Sequence, residues 1–493
     1  MGFDAWQVGW RLGQAREPRG KAWWVPWDRT GGVIGPQGSG KTLDLLTPAL
    51  LGAPGAALVT LTKVDDLLLT ITDRARPRAS GQAATGGAKR PCVVLDPFGL
   101  APGLPELIWD PIAGCVDPMT AERRAKAFTA GTITGAIHGG AGDEAARFYA
   151  NEAAKVIQCY LHAAALTGRD LDAVLRWVAS PLSTTNPTEI LREHPHAAPF
   201  WHGLLHGALH GDERTAGNTV TTVQQAMSLF FQAEIRRRCV PTPGRPPTDI
   251  AEVIGRGGTL YLLGREDPYA SASPLMTAVA EHVLDTALDL ANGTRWGRLC
   301  PPMLACLDEL PSTAPLPTLR TRMANERALG LSFIWAAQTR SQLTSIFGEQ
   351  QARDIFGLTN ILVVFGGSKD HAFNQEISDL LGPVRVTRTS WQTGHRGGRT
   401  TSAEDIPILL AAEIRQLPEG RALVIAENGR PIIAGLHRCI DGHAGRRLLH
   451  QQQRAREQLD TARRTNVDPA TRASTAQAEA HRRHLSPRDG LRR

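Results

Sequence analysis

The sequence lacks a cysteine pattern that could hold a disulfide framework or a metal. Its seven cysteines are scattered and contain no CxxC pair, which excludes a cysteine-rich scaffold and a zinc ribbon. This usage is typical of a reducing, cytoplasmic compartment. Hydrophobic residues still make up 42% of the 493 residues, so the chain can bury a large core and is not disordered as a whole.

Long apolar runs are also missing. No stretch approaches the roughly 20 apolar residues of a transmembrane helix, and the nearest one, 43–59, is interrupted by Asp44, Pro48 and Pro54. The N terminus has no basic start followed by an apolar core, so no signal peptide is expected. The sequence therefore predicts a chain that does not span a membrane.

Lysine is scarce, and positive charge is concentrated at one end of the chain. The formal net charge is +7, with seven Lys against 48 Arg. Residues 451–493 contain ten Arg and five acidic residues, so the rest of the chain is nearly neutral. Contacts with nucleic acid must come from this tail or from local patches such as Arg396 and Arg399, although an ordinary surface loop explains those two slightly better.

Short apolar runs bounded by Gly, Pro or Asp recur along the chain, and helical patterns separate many of them. Such runs predict buried strands of an α/β domain with a mostly parallel sheet. The predicted strands are 31–34, 56–62, 92–95, 259–263, 303–307, 331–336, 361–365, 422–426 and 432–434.

One region interrupts this alternation. Residues 118–239 contain no convincing strand, and helical spacing is found at 121–137, 143–165, 170–179, 201–209 and 217–238. We predict an all-helical domain of residues 118–239 inserted into an α/β domain made of 1–117 and 240–437. Within it, 180–187 is predicted as a loop. Residues 392–402 are predicted as a Gly- and Arg-rich loop, and 438–493 as a basic, partly helical or disordered tail.

The strongest motif is a phosphate-binding loop that satisfies GxxxxGK[ST] in full, between a predicted strand and a helical run. Backbone amides of such a loop wrap a phosphate chain at a helix N terminus. Lys41 would contact the β- and γ-phosphates, and the Thr42 hydroxyl would bind Mg²⁺. The loop consists of Gly35, Pro36, Gln37, Gly38, Ser39, Gly40, Lys41 and Thr42.

Two further elements fit a nucleotide site. Asp308 and Glu309 follow the apolar strand 303–307; Asp308 would hold Mg²⁺, and Glu309 would orient and activate the attacking water. The pair of acids favours hydrolysis over transfer to a second substrate. Gln338 lies just after the strand 331–336 and could sense the γ-phosphate. Without the other two elements, an ordinary turn residue would be the better interpretation of Gln338.

Together these elements resemble the type IV coupling proteins, the TraG/TraD-type ATPases of conjugative DNA transfer. The resemblance covers roughly residues 24–436. Its motifs follow the family's order, and they include Leu61-Thr62-Lys63, Val94-Leu95-Asp96-Pro97-Phe98-Gly99, Trp109-Asp110-Pro111, Gly258-Thr259-Leu260-Tyr261-Leu262, Leu307-Asp308-Glu309-Leu310, Pro315-Leu316-Pro317 and Arg415-Gln416-Leu417-Pro418-Glu419-Gly420.

The resemblance implies a RecA-like P-loop NTPase domain with an inserted all-α domain, ATP and Mg²⁺ as cofactors, and a homo-hexamer. It implies DNA, expected to be single-stranded, a relaxase or other secretion substrate, and type IV secretion channel components as partners. Arg327 resembles an arginine finger that reaches a neighbouring subunit's γ-phosphate, while a solvated helix residue is an equally good interpretation.

Two departures from the family pattern place the chain in a divergent branch. The N-terminal transmembrane helices typical of the family are absent, so we expect a cytoplasmic protein at the inner face of the membrane whose anchor is lost or supplied by another protein. The Asp96-Pro97-Phe98-Gly99 segment also lacks the Lys-Gly-Glu that follows Asp-Pro in many members.

Other functions stay open on the sequence. The chain could be an ATPase that secretes proteins, or a nucleotide-gated recruitment module with little hydrolysis, although the latter has no need of Glu309. His202, His206 and His210 share one predicted helix face, for which a polar surface is a better interpretation than a metal site.

Overall fold

The structure is a computed structural model that describes residues 5–77, 88–132, 141–264, 271–391 and 399–466. Arg396 therefore lies outside the described residues. The strands are β1 (Gly9–Glu17), β2 (Ala22–Pro26), β3 (Gly31–Ile34), β4 (Ala57–Leu61), β5 (Cys92–Leu95), β6 (Thr259–Leu263), β7 (Met303–Leu307), β8 (Leu331–Ala337), β9 (Ile361–Phe365), β10 (Pro383–Trp391), β11 (Arg399–Pro407), β12 (Arg421–Ala426) and β13 (Ile432–Gly435).

The helices surround this sheet and form most of residues 118–239. They are α1 (Ala5–Val8), α2 (Thr47–Gly52), α3 (Val64–Arg74), α4 (Pro118–Ala130), α5 (Ala141–Leu166), α6 (Leu171–Ala179), α7 (Asn186–Glu193), α8 (Trp201–His210), α9 (Glu213–Met227), α10 (Ala233–Cys239), α11 (Ile250–Gly255), α12 (Ser273–Gly293), α13 (Leu310–Thr313), α14 (Leu319–Asn325), α15 (Arg340–Phe347), α16 (Glu349–Gly357), α17 (His371–Leu381), α18 (Ala411–Arg415) and α19 (Gly442–Asn466).

Eleven of the described strands form one sheet, in the order β2-β1-β13-β12-β9-β3-β8-β7-β4-β6-β5. The strands from β9 to β5 are parallel to one another, and β12, β13, β1 and β2 extend the sheet in antiparallel pairs. The parallel strands are almost entirely buried because helices cover both faces. The α/β prediction is confirmed.

Two pairs of strands have no counterpart among the predictions. β1 pairs with β2 at one edge of the sheet, and β10 pairs with β11 in a separate hairpin. The hairpin corrects the predicted loop 392–402, since residues 399–402 belong to β11. β10 and β11 are mostly exposed. β1 buries Trp10, Leu12 and Ala15 in the core, but polar residues and glycine interrupt its apolar positions. Neither pair therefore has the continuous apolar run that marked the parallel strands.

Every regular element that the structure describes between residues 118 and 239 is helical. The predicted helix 217–238 is two helices, α9 and α10, joined by a 3₁₀ turn. The predicted loop 180–187 is shorter than expected, because α7 begins at Asn186 with a proline in its first turn, where a missing N–H is tolerated. The exact domain boundaries stay a prediction.

The inserted helices share a core with the sheet. Phe128 of α4 and Tyr160 of α5 belong to the same buried cluster as Leu260 of β6 and Leu307 of β7. The chain after β13 is also partly built into the molecule, since α19 packs Leu448, Ala455 and Leu459 against the face of α3. None of the helices in the described residues combines the length and hydrophobicity that a transmembrane span requires.

Candidate functional site

The phosphate loop leaves the carboxyl end of β3 and enters a π-helical turn at Lys41–Leu46, which continues into α2. Gly40 has φ = 99°, and a Cβ atom there would lie 2.3 Å from Asp44 Oδ2. Only glycine fits this conformation and this close approach. The turn is closed by the Asp44 amide, which donates to Gly40 O at 2.8 Å.

Lys41 is held inside the loop rather than in solvent. Its Nζ donates to Gly35 O at 2.6 Å and to Pro36 O at 3.1 Å, and lies 4.0 Å from Glu309 Oε1. Burial lowers the pKa of Lys41, while the carboxylates of Glu309 and Asp308 oppose that shift. A cation is therefore fixed at the point where the loop would surround an anion.

The parallel strands β3 and β7 bring Thr42 and Asp308 together. Thr42 Oγ1 donates to Asp308 Oδ2 at 2.8 Å, although the two residues are 266 positions apart. The Asp308 backbone is held by Thr60 Oγ1, which donates to Asp308 O at 2.9 Å. Burial raises the pKa of Asp308, and the Thr42 hydrogen bond opposes the rise. A cation at this carboxylate would offset the cost of burying its charge.

Glu309 lies next to this pair in a strained backbone conformation. Its φ of 50° and ψ of 44° are left-handed, which is uncommon for a residue other than glycine. The Glu309 amide donates to Asp308 Oδ1 at 3.0 Å. Strain of this kind persists only where the surroundings impose it, and it is frequent at functional sites.

Gln338 at the end of β8 contacts Glu309 directly. Its Nε2 donates to Glu309 Oε2 at 3.2 Å. The turn that positions it is fixed by a capping box, in which Thr339 and Gln342 satisfy each other's backbone amides at the start of α15. The carboxyl ends of three parallel strands thus bring Lys41, Thr42, Asp308, Glu309 and Gln338 into one cluster.

The residues of this cluster fit a magnesium nucleotide. Within the described residues, the Ser39 Oγ atom is buried without a hydrogen-bond partner, so the loop has an unused hydroxyl among its amides. Thr42 and Asp308 offer the hard oxygen ligands that Mg²⁺ prefers, and Mg²⁺ at such sites takes its remaining ligands from phosphate and water. No softer ligand set competes, because the described residues contain no group of three His, Cys, Asp or Glu side chains that could hold a metal ion.

The sequence profile of a protein family matches residues 302–419, the stretch that contains Asp308, Glu309 and Gln338. That family is described as the TraM recognition site of TraD and TraG. This segment of the chain is therefore similar to the matching part of the TraD and TraG proteins. No curated protein sequence matches the chain.

The fold is that of a solved member of the conjugative coupling proteins. The unbound bacterial protein TrwBdeltaN70 is 19% identical, with 86% of this chain and 88% of that one covered and a TM-score of 0.59. TrwB in complex with ADP and Mg²⁺ is also 19% identical, with 83% and 86% covered and a TM-score of 0.56. TrwB with a non-hydrolysable ATP analogue is 19% identical, with 85% and 87% covered and a TM-score of 0.56. The chain therefore has a RecA-like P-loop NTPase fold with an all-α domain.

Arg327 does not reach the phosphate loop of its own chain. It lies in a 3₁₀ turn before β8, where Nη1 donates to Asn360 Oδ1 at 3.3 Å. Gln338 follows the carboxyl end of β8. The seven residues of this strand span roughly 23 Å at 3.3 Å per residue, so the two ends of β8 are that far apart. Arg327 could act on a nucleotide only from a neighbouring subunit, and this role stays a prediction.

Two charged residues near the site carried no functional prediction of their own. Lys63 and Asp66 lie where β4 leads into α3, and Asp66 lines the same small cavity as Thr42 and Asp308. Burial, with a smaller contribution from the charge of Asp308, raises the pKa of Asp66 to about 6, while Lys63 opposes the rise. No motif in the sequence predicts this closeness, because it follows from the parallel pairing of β4 with β7.

The raised pKa of Asp66 has a measurable effect on stability. The folded state holds this proton more tightly than the unfolded state, whose pKa is near 3.8, so stability from this group falls as pH rises from about 4 to 6. We expect Asp66→Asn to raise the free energy of unfolding at pH 7.5 by about 1–2 kcal/mol, after allowance for partial exposure, and to raise it less at pH 5. Urea unfolding without Mg²⁺ at both pH values tests this; an equal gain at both would contradict it.

A second contact to the phosphate loop comes from the far end of the chain. Arg438 Nε donates to Asp44 Oδ1 at 2.8 Å, and Arg438 Nη2 donates to Glu419 Oε1 at 2.9 Å. The Asp44 side chain is only 2% exposed. The next residue, Cys439, donates its amide to Leu43 O at 2.9 Å. The segment after β13 therefore braces the helix that follows the loop.

Removing the arginine should loosen this brace. Arg438→Ala leaves the buried Asp44 carboxylate without its partner, which we expect to cost about 1–3 kcal/mol, less than a fully buried pair because Arg438 is 30% exposed. Adding Asp44→Asn should recover part of the loss. Urea unfolding measures both, with Arg421→Ala, at a more exposed pair with Glu17, as control. Equal effects of the Arg438 and Arg421 variants would refute the brace.

Proposed function

We propose that this chain is an ATP-driven coupling protein that delivers DNA, or DNA with bound protein, to a conjugation or type IV secretion channel. The observation that carries the proposal is the cluster of Lys41, Thr42, Asp308, Glu309 and Gln338 at the ends of β3, β7 and β8. It lies in a chain whose segment 302–419 is similar to the matching part of the TraD and TraG proteins. The nucleotide complexes of TrwB support ATP and Mg²⁺ as the cofactors.

Each residue of the cluster has a separate task. Lys41 and the loop amides would bind the phosphates, and Thr42 and Asp308 would hold Mg²⁺. The bound ion supplies charge neutralisation for the phosphates. The Glu309 carboxylate lies 4.0 Å from Lys41 Nζ, and it would orient a water and accept its proton. Gln338, bonded to Glu309 Oε2, would report on the state of that carboxylate to α15.

The assembly and the partners are proposed on the same basis. A homo-hexamer would bring Arg327 of one subunit to the nucleotide of the next, where its guanidinium would stabilise transition-state charge. Single-stranded DNA and a relaxase or similar nucleoprotein substrate fit the conjugative relatives. A TraM-like accessory protein fits the description of the matched family. We propose that the chain acts at the cytoplasmic face of the membrane.

Turnover measured with and without DNA tests the function. The purified chain is assayed for ATP hydrolysis alone, with single-stranded DNA and with double-stranded DNA of the same length. We expect stimulation of several-fold by DNA, and the more effective form identifies the substrate. Hydrolysis that is indifferent to DNA would favour a protein-secreting ATPase instead. Absence of hydrolysis under all three conditions would favour the recruitment module.

A further inference from the structure

A second cluster of positive charge lies, like the phosphate loop, at the carboxyl ends of the parallel strands. It is next to β5, the outermost of these strands. A cavity of about 450 Å³ opens where β5 ends. We call it the arginine pocket, after the guanidinium groups of Arg237, Arg238, Arg245 and Arg463 that line it. β5 and β3 are five strand positions apart in the sheet, or about 24 Å at the usual spacing. The pocket is thus separate from the nucleotide site.

The four arginines come from three different parts of the chain. Arg237 and Arg238 end α10, Arg245 follows in a tight turn, and Arg463 belongs to α19. Arg463 Nη2 donates to Leu100 O at 2.6 Å, which holds the end of α19 on the loop after β5. Convergence of separate segments on one cavity indicates a built site rather than the solvated face of one helix.

The turn after β5 is shaped to receive one of these guanidinium groups. Gly99 has φ = 65°, and a Cβ atom there would lie 2.9 Å from Arg238 Cζ. Arg238 Nη1 also donates to Pro97 O at 3.4 Å. This guanidinium lies next to the turn, where any side chain at Gly99 would displace it, and the Arg238 side chain is only 34% exposed.

The lining of the pocket holds four arginines and two acids, Asp96 and Glu106, and outside the lining Asp460 lies 3.6 Å from Arg463 Nη1. Glu106 is bound to Arg245 at 2.5 Å. The Asp96 carboxylate turns toward the loop and accepts the amides of Leu100 at 2.9 Å and Ala101 at 2.7 Å. Arg237 and Arg238 both pair with Glu234, which is 60% exposed. Two guanidinium groups that share one exposed acid can exchange it for a stronger anion.

We propose that the arginine pocket binds phosphate groups. Guanidinium groups pair with phosphate through two parallel hydrogen bonds, and several of them in a concave site prefer an anion with more than one charged oxygen. The volume fits one or two phosphate groups with their attached atoms. The phosphates could belong to a nucleic-acid strand or to a small phosphorylated molecule. The site does not depend on hydrolysis at the phosphate loop.

Binding is tested on the full chain with two probes. One is a fluorescein-labelled 12-nucleotide oligo(dT), followed by anisotropy, and the other is inorganic tripolyphosphate, followed by calorimetry. We expect Arg238→Gln combined with Arg463→Gln to weaken the oligonucleotide at least ten-fold and to lower the salt slope by about 1.4, or about 0.7 for each lost single-strand phosphate contact. Arg256→Gln is the control. Arg256 pairs with Glu252 just before β6, at the amino ends of the parallel strands, whereas the pocket lies at their carboxyl ends.

Glu234→Gln separates binding from damage to the fold. Removing the acid that competes for Arg237 and Arg238 should tighten the oligonucleotide several-fold, an effect that misfolding cannot produce. A pocket-dependent loss for the oligonucleotide alone assigns the site to the nucleic-acid backbone, and a loss for both probes assigns it to phosphate from either source. If neither probe distinguishes the pocket variants from Arg256→Gln, or Glu234→Gln brings no gain, the proposal is wrong.

Discussion

Replacing Glu309 by Gln is expected to reduce ATP turnover by about 10²–10⁴-fold, the range that a general base contributes. The amide keeps the size of the side chain and can still contact Gln338, but it cannot accept a proton from water. Binding of a fluorescent ADP analogue should change little, because the phosphates are held by the loop and by Lys41. The expected signature is therefore a loss of kcat with an unchanged affinity for nucleotide.

A matched control separates this effect from a general loss of charge. Glu349 on α16 is 57% exposed and pairs with Arg353 within its own helix. Glu349→Gln should leave both turnover and binding unchanged. Turnover of Glu309→Gln within a factor of three of the unsubstituted chain would show that another group activates the water.

Replacing Lys41 by Ala is expected to abolish hydrolysis by a different route. The substitution removes the cation that lies inside the loop, so nucleotide affinity should fall together with kcat. Loss of its stabilisation of the transition state should lower kcat by about 10²–10³-fold. The fold should survive, because the amine is buried at a cost that lowers its pKa and its partners are carbonyl groups of the loop itself.

Thermal unfolding and nucleotide binding are measured on the same preparation. Lys126→Ala is the control, since Lys126 is 56% exposed and pairs with Glu122 on the surface of α4. We expect Lys41→Ala to melt within a few degrees of the control while its affinity for ADP drops. Normal turnover by Lys41→Ala would remove the phosphate loop from the mechanism.

The sequence predicted the parallel part of the sheet well because those strands are buried on both faces. Five of them, 31–34, 92–95, 259–263, 303–307 and 361–365, have the bounds that their apolar runs predicted. The continuous apolar run that marks these strands is missing in the hairpin of β10 and β11. β10 alternates Val384 and Val386 with the polar residues Arg385 and Thr387, and it belongs to a hairpin outside the main sheet. It therefore has too few consecutive apolar residues to mark it as a strand.

The candidate site likewise has residues that the sequence predicts and contacts that it does not. Lys41, Thr42, Asp308 and Glu309 lie in contiguous motifs whose order along the chain carries the information. Arg438 contacts Asp44 across 394 positions, and no local pattern around residue 438 indicates this. Contacts that depend on how distant segments return to the sheet become visible only when the fold is known.

Helix α19 fixes the distance between the phosphate loop and the arginine pocket. It begins at Gly442, shortly after the arginine that braces Asp44, and it carries Arg463 on its last described turns. A helix of 25 residues is about 37 Å long, and Leu448 and Leu459 hold it against α3. Because this helix is held along its length, a nucleotide at the phosphate loop and a phosphate at the arginine pocket would lie at a set distance from each other.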